Sequence, residues 1–250
     1  MIVSLELKNE IFKIDLSKAL DISIALNGEG NNLIAWGLEF PIIEPYKQDD
    51  FIGKVAEGAS VNFNNISFNP HGHMTHTECV GHITENFYSI NKELTEFFFR
   101  AQLITIAPEK FQKDLVISKK QLQYALGDKR PTALVIRTLP NLREKLHRKY
   151  SKTNPPYLLE EAALFLNKIG VEHLLIDLPS VDKEDDKGAL LAHRAFWGMD
   201  TVVRRNASIT ELIYVRNEII DGSYLLNLQV APIENDASPS RPVLYSLVRR

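Results

Sequence analysis

Four of the seven histidines of this chain fall in one stretch of twelve residues, His71-Gly72-His73-Met74-Thr75-His76-Thr77-Glu78-Cys79-Val80-Gly81-His82. The stretch constrains the fold because Pro70, Gly72, Thr75, Thr77 and Gly81 all weaken a helix here. An extended segment is expected instead. Side chains alternate along such a segment, so His76, Glu78 and His82 project to one face while His71 and His73 begin on the other. A bulge at Gly72 or Met74 would shift the parity and bring His71 or His73 round to join His76 and Glu78. Imidazole nitrogen beside carboxylate oxygen is a donor set that Zn²⁺, Mn²⁺ or Fe²⁺ accepts, and the stretch reads as a metal site. Cys79, the single cysteine, has the opposite parity and reads as a small packed residue rather than a ligand.

With 250 residues, 44% of them apolar, the chain can bury a sizeable core, and one domain spanning 1–250 is expected. A net charge of −3, with both signs mixed along the chain, leaves no basic surface to track a phosphate backbone. Nucleic acid is not an expected partner. No apolar run approaches the roughly 18 residues that span a bilayer, and the opening MIVSLELKNEIFKIDLS carries Glu and Lys where a signal peptide needs an apolar core. No membrane partner is expected. A lone cysteine rules out an intramolecular disulfide and agrees with a reducing, cytoplasmic setting.

The first half reads as β-rich: strands at 1–8 and 11–15, a loop at 27–32, and a strand pair in which 59–63 and 66–68 alternate around Asn64-Asn65. The second half alternates helix and strand. Ser118 is a candidate N-cap for a helix over 119–126, followed by an apolar strand at 132–137. Residues 158–169 have helical spacing and close on Gly170, and 171–176 make a buried strand ending at Asp177. A helix over 188–197 precedes long strands at 207–215 and 224–230, joined by a turn at Asp221-Gly222, with a last strand at 243–248. Residues 183–187 are a solvated charge run.

One late residue stands out on patterning alone. In a strand over 207–215, positions 209, 211, 213 and 215 share a face as Ile, Glu, Ile and Val. A carboxylate on an apolar face needs a cation, a metal or an edge position facing water.

The histidine stretch resembles the His-x-Gly-Thr-His-x-Asp-x-Pro-x-His signature of the cyclase family, metal-dependent hydrolases that include bacterial kynurenine formamidase and isatin hydrolase. Thr75 and His76 match its Thr-His pair, Glu78 stands where the family has Asp, and His82 falls at its last histidine. Gly72 occupies the position of the family's first histidine, Met74 replaces a glycine and Val80 replaces the proline. Three further segments are similar to family motifs: 13–17 (Lys-Ile-Asp-Leu-Ser), 176–182 (Ile-Asp-Leu-Pro-Ser-Val-Asp) and 235–241 (Asn-Asp-Ala-Ser-Pro-Ser-Arg). His193-Arg194 sits where the family has its late histidine, and Glu211-Leu212 maps onto its Glu-Asn-Leu segment. By raw residue count Arg205 would fall at that second position.

The resemblance implies an α/β fold with a mixed β-sheet core flanked by helices, of the swivelling β/β/α type. It implies one or two divalent ions, Zn or Mn. The first would be held by His71 or His73 with His76 and Glu78, and the second by His193 and Glu211 with Glu78 bridging. His82 would be left for proton transfer, although its spacing also permits a ligand. The function expected is hydrolysis of an amide or ester bond in a small molecule, of arylformamide or cyclic amide type, through metal-activated water, in a homodimer or higher homo-oligomer. Trp36, Phe40, Phe87, Tyr88 or Trp197 could line an aromatic pocket. The alternatives are a non-catalytic metal or small-molecule binding protein on the same fold, and a structural zinc site.

Overall fold

The computed structural model describes residues 1–7, 10–28 and 30–249. Among these, nine strands form one mixed sheet in the spatial order Ala237–Pro239, His76–Glu78, Ser208–Glu211, His173–Ile176, Ala133–Thr138, Phe98–Ile106, Gly222–Asn227, Val243–Ser246 and Leu20–Asp21. The four strands from Ser208–Glu211 to Phe98–Ile106 are parallel to their neighbours in that group, and the outer pairings are antiparallel.

Parallel neighbours need crossovers, and helices Lys119–Leu126, Glu160–Lys168 and Leu191–Trp197 lie in the three connections. The strands alternate between two apolar layers. Leu134, Ile136, Leu174, Ile176 and Ile209 pack with Leu122, Leu126, Ala162, Leu166 and Phe196 of the helices. Ala133, Val135 and Leu175 pack on the other side with Ala101, Leu103, Leu226 and Leu244. Burial on both faces is why 133–136 and 174–176 are continuous apolar runs.

The expected helices are present with the caps their sequences suggest. Ser118 and Gln121 form a reciprocal capping box, and Gly170 follows the end of Glu160–Lys168 at φ +83°. The helix expected from Gly188 begins later, at Leu191. Before it, Asp186 accepts from the Gly188 and Leu190 backbone N–H groups, and Leu190 is left-handed.

Three strand expectations are corrected. Asn64-Asn65 is not a turn: it begins strand Asn64–Ser67, whose partner is Ile42–Pro45, and Tyr46 packs on Phe63 with ring centroids 5.3 Å apart. The strand expected over 207–215 stops at Glu211, because Leu212 turns left-handed at φ +57°. The last strand divides, and Val248–Arg249 joins Glu10–Asp15 and Ile2–Leu7 in a separate sheet. Lys8, which the first expected strand included, lies outside the described residues, as does Glu29 of the expected loop. Among the described residues no helix is long and apolar enough to cross a membrane.

Candidate metal centre

The histidine stretch is built from three short pieces rather than one extended run. Asn69 accepts from the His71 N–H through its side chain at 2.9 Å, and Pro70 follows, so a single helical turn forms at Pro70–His73. Strand His76–Glu78 comes next, and a 3₁₀ turn at Val80–Ile83 ends the stretch. The helical turn, not a bulge, brings His71 to the site. Two residues on, His73 faces the other way: its Nδ1 accepts from Asn69 N–H at 3.0 Å and its Nε2 donates to the Glu39 carbonyl at 2.9 Å. His73 is therefore not brought together with the other histidines.

Parity does hold for the strand. His76–Glu78 pairs on one side with Ser208–Glu211, placing His76 opposite Glu211, and on the other with Ala237–Pro239. Directly opposed residues share a sheet face, so His76, Glu78 and Glu211 converge at the C-terminal end of a parallel strand, where open α/β sheets bind ligands. Thr75 fixes the entry to this strand: its hydroxyl accepts from Ile24 N–H at 2.7 Å and donates to the Leu212 carbonyl. His193 reaches the same point from helix Leu191–Trp197.

Four imidazoles surround Glu78, and each has one nitrogen tied to an acceptor at the rim. His76 Nδ1 lies 3.2 Å from the Met74 carbonyl, His193 Nδ1 2.6 Å from Asp182 Oδ2, and His71 Nε2 and His82 Nδ1 lie 2.9 and 3.2 Å from Asp236 Oδ2. A carbonyl only accepts, so His76 carries a proton on Nδ1, and Nε2 is the nitrogen that faces inward. The remaining nitrogens point inward. His193 Nε2 lies 3.0 Å from Glu78 Oε1, His71 Nδ1 3.2 Å and His82 Nε2 3.9 Å from Glu78 Oε2, and His76 Nε2 3.5 Å from Glu211 Oε2.

The charge balance calls for a cation. Glu78 is fully buried, and burial favours its neutral form, yet the His82 charge and bonds from His193 and His71 hold it well below the usual carboxylate range. Burial pushes the His71 and His193 rings down. Bonds to Asp236 and Glu78 for His71, and to Asp182 and Glu78 for His193, outweigh it and raise each to about 10. Protons can fill part of that demand, but His76 Nε2 and Glu78 Oε2 remain buried without a well-formed hydrogen bond. Buried polar atoms left without partners are costly, and a divalent ion is what this nitrogen and oxygen set fits. The triads His71, His76, Glu78 and Glu78, His82, His193 each offer ligand atoms within 4.8 Å of one another.

Thus His71, His76, Glu78, His82, His193 and Glu211 are gathered at one place. Glu211, at the end of its strand, accepts from Val181 N–H through Oε1 at 2.9 Å and faces His76 through Oε2. Arg205 is engaged elsewhere, with Glu93 at 2.6 Å. Cys79 is buried, donates to the Tyr88 carbonyl, and burial pushes its thiol up to about 12; it is a packed residue.

Of the aromatic candidates, Trp36 lies beside the site, its indole N–H donating to the His71 carbonyl at 3.1 Å. It also lines a cleft of about 570 Å³ with Gly37, Ser151, Lys152 and Asn154. Trp197 is buried behind His193, with ring centroids 5.3 Å apart. Tyr88 lies under the Arg205 guanidinium and Phe40 under Lys149, while Phe87 is exposed. Two carboxylates were not among the expected site residues: Asp182, which also accepts from the Ala192 and His193 backbone N–H groups, and Asp236. Both lie in segments that resemble family motifs, but spacing alone gives no sign that they face these histidines.

The chain is similar to several known proteins. A kynurenine formamidase from Bacillus cytotoxicus is 37% identical over 93 residues, which are 37% of this chain and 41% of that protein. The chain thus spans about two fifths of the curated relatives it matches. Isatin hydrolase A from Labrenzia aggregata, solved bound to benzyl benzoate, superposes with a TM-score of 0.67 at 15% identity, covering 93% of this chain and 94% of that one. Isatin hydrolase A from Ralstonia solanacearum gives 0.66 at 17% identity, covering 91% of each. At these identities the superpositions establish the fold, an α/β architecture on a mixed sheet. The family model for Cyclase matches residues 14–183, more than half of the sequence and including every histidine of the stretch, and on that match the chain belongs to the cyclase family.

Proposed function

We propose that this chain is a metal-dependent hydrolase acting on a carbon–nitrogen bond of a small molecule, of arylformamide or cyclic amide type. The observation that carries the reading is the arrangement of the imidazoles: outer nitrogens held by acceptors, inner nitrogens aimed at two buried carboxylates. Histidines bound to metals have this arrangement. His71, His76 and Glu78 would hold one ion, and His193 and Glu211, with Glu78 shared, a second, as Zn or Mn. When bound, a divalent ion supplies Lewis acidity, making water acidic enough to lose a proton near neutral pH and polarising a carbonyl oxygen.

The chain's own groups supply the rest. His82 is the proton carrier: its side chain is 32% exposed, more open than those of His76 and His193, and its Nε2 faces the buried carboxylate. An imidazole there can take a proton from water and return it to a leaving nitrogen. Glu78 stays ionised under the pull of three histidines. The exposed face of Trp36, next to His71, offers an aromatic substrate a surface to stack on.

The proposal includes a cytoplasmic homo-oligomer, which would cover the exposed Ile42, Phe51, Val55, Phe63 and Ile66. Light scattering after size exclusion reads the assembly, and a monomer at all concentrations would remove that part. The central test is elemental analysis of the purified protein followed by hydrolysis assays on N-formylated arylamines and cyclic amides. One or two ions per chain with turnover is the expected result. A metal-loaded protein inert on amides, esters and lactones would leave a binding protein, and no metal after reconstitution would sink the reading.

A further inference from the structure

We infer that Asp236 is a positioning residue that sets two histidines at once, His71 on the metal-holding side and His82 on the proton-transfer side. The inference rests on the metal-hydrolase reading and adds a division of labour within it. A single oxygen, Asp236 Oδ2, lies 2.9 Å from His71 Nε2 and 3.2 Å from His82 Nδ1. The two rings lie against each other, with centroids 4.3 Å apart and planes tilted by 30°. One carboxylate therefore assigns the outer nitrogen of both rings and turns His71 Nδ1 and His82 Nε2 toward Glu78.

The need for this device follows from how His71 arrives. Gly72 stands where the family signature has its histidine, and the 34–38 segment packs onto it: Ala35 N–H donates to the Gly72 carbonyl, and a Cβ at 72 would lie 2.5 Å from Leu38 Cδ1. His71 enters instead from a single helical turn, with its side chain 19% exposed and no strand partner to orient it. By contrast, His76 lies within a strand paired on both edges. Asp236 itself is well placed for the task. Its backbone carbonyl accepts from Cys79 N–H at 3.0 Å, and Ala237 next to it pairs with Glu78, so its carboxylate is referenced to the same strand that carries His76 and Glu78.

The experiment uses full-length protein, stripped by chelator and reloaded. Zn²⁺ affinity is measured by competition, the Co²⁺ derivative by its d–d spectrum, and kcat and KM at saturating Zn²⁺, for wild type, Asp236→Ala and Asp236→Asn. Asp236→Ala is expected to weaken Zn²⁺ binding about 10- to 100-fold. It should also alter the Co²⁺ spectrum and lower kcat at saturating metal by about tenfold or more, with KM little changed. Asp236→Asn keeps one oxygen that can face both rings but removes the charge, and should fall between, which carries the test if the alanine variant fails to fold. A residue that merely holds its loop would lower the unfolding temperature of the metal-free protein and leave the Co²⁺ spectrum and saturated kcat unmoved. That result would overturn the inference while the hydrolase reading stands, whereas a wild type that takes up no metal would overturn both.

Discussion

The two halves of the centre are held by different physics. His76 and Glu78 sit on a strand paired on both edges, Glu211 stands opposite His76 in the neighbouring strand, and all three are buried. His71, His82 and His193 sit on a helical turn, a 3₁₀ turn and a short helix, and their rings are aimed by Asp236 and Asp182. Backbone pairing places the first set before any side chain contributes. The second set depends on single carboxylates, so its geometry can be lost one residue at a time. Substitutions should therefore separate into those that remove the ion and those that misdirect what surrounds it.

The largest effect belongs to Glu78→Gln, which keeps the shape of the strand half and removes the charge that three imidazoles face. Metal affinity should fall by more than about 100-fold, beyond what loss of an orienting partner usually costs, and hydrolysis should disappear with it. Near-normal metal content in this variant, read by elemental analysis, would break the distinction. His82→Ala probes the turn half. Here kcat should fall about 10²- to 10⁴-fold while metal affinity stays within a few fold of wild type. If His82→Ala loses its metal instead, His82 is a ligand and not a proton carrier. A smaller effect is expected for Asp182→Asn: Asp182 caps the backbone of helix Leu191–Trp197 and holds His193 Nδ1 at 2.6 Å. Its loss should weaken metal binding about 10- to 100-fold and leave the first-bound ion, if two bind, less affected than the second.

The same division governs what could be read from the chain. The strand half was legible because alternation has a fixed period: the shared face of His76 and Glu78 and the lone carboxylate at Glu211 follow from residue parity alone. The central strands and their helices were legible for a similar reason, since burial on both faces writes continuous apolar runs at 133–136 and 174–176. The turn half was not. A tally of weak helix formers over 70–82 misses that Asn69 and Pro70 suffice to nucleate one turn, and one turn separates His71 from His73. The end of the 208–211 strand at a left-handed Leu212 carries no glycine to announce it. Asp182 and Asp236 stand 11 and 165 residues from the histidines they orient, His193 and His71, and no local pattern connects them.

The last prediction uses a histidine that belongs to the strand layer but not to the centre. His173 begins strand His173–Ile176, its Nδ1 2.9 Å from Ser208 Oγ and its ring centroid 3.9 Å from that of Phe99. Burial, with a contribution from Arg204, pushes it down to about 4. In the unfolded chain it titrates near about 6.5. Between those values the unfolded chain binds the extra proton and the folded chain does not. The stabilisation is thus complete above about pH 6.5, is lost as pH falls toward 4, and amounts to on the order of 3 kcal/mol. Urea unfolding from pH 7 to 4 should give a steeper loss for wild type than for His173→Gln. The difference should be the same with and without Zn²⁺, because His173 contacts Ser208 and Phe99 rather than the residues that surround Glu78. Equal slopes would show that the ring is charged in the fold, and a metal-dependent difference would show that the strand layer and the centre are coupled after all.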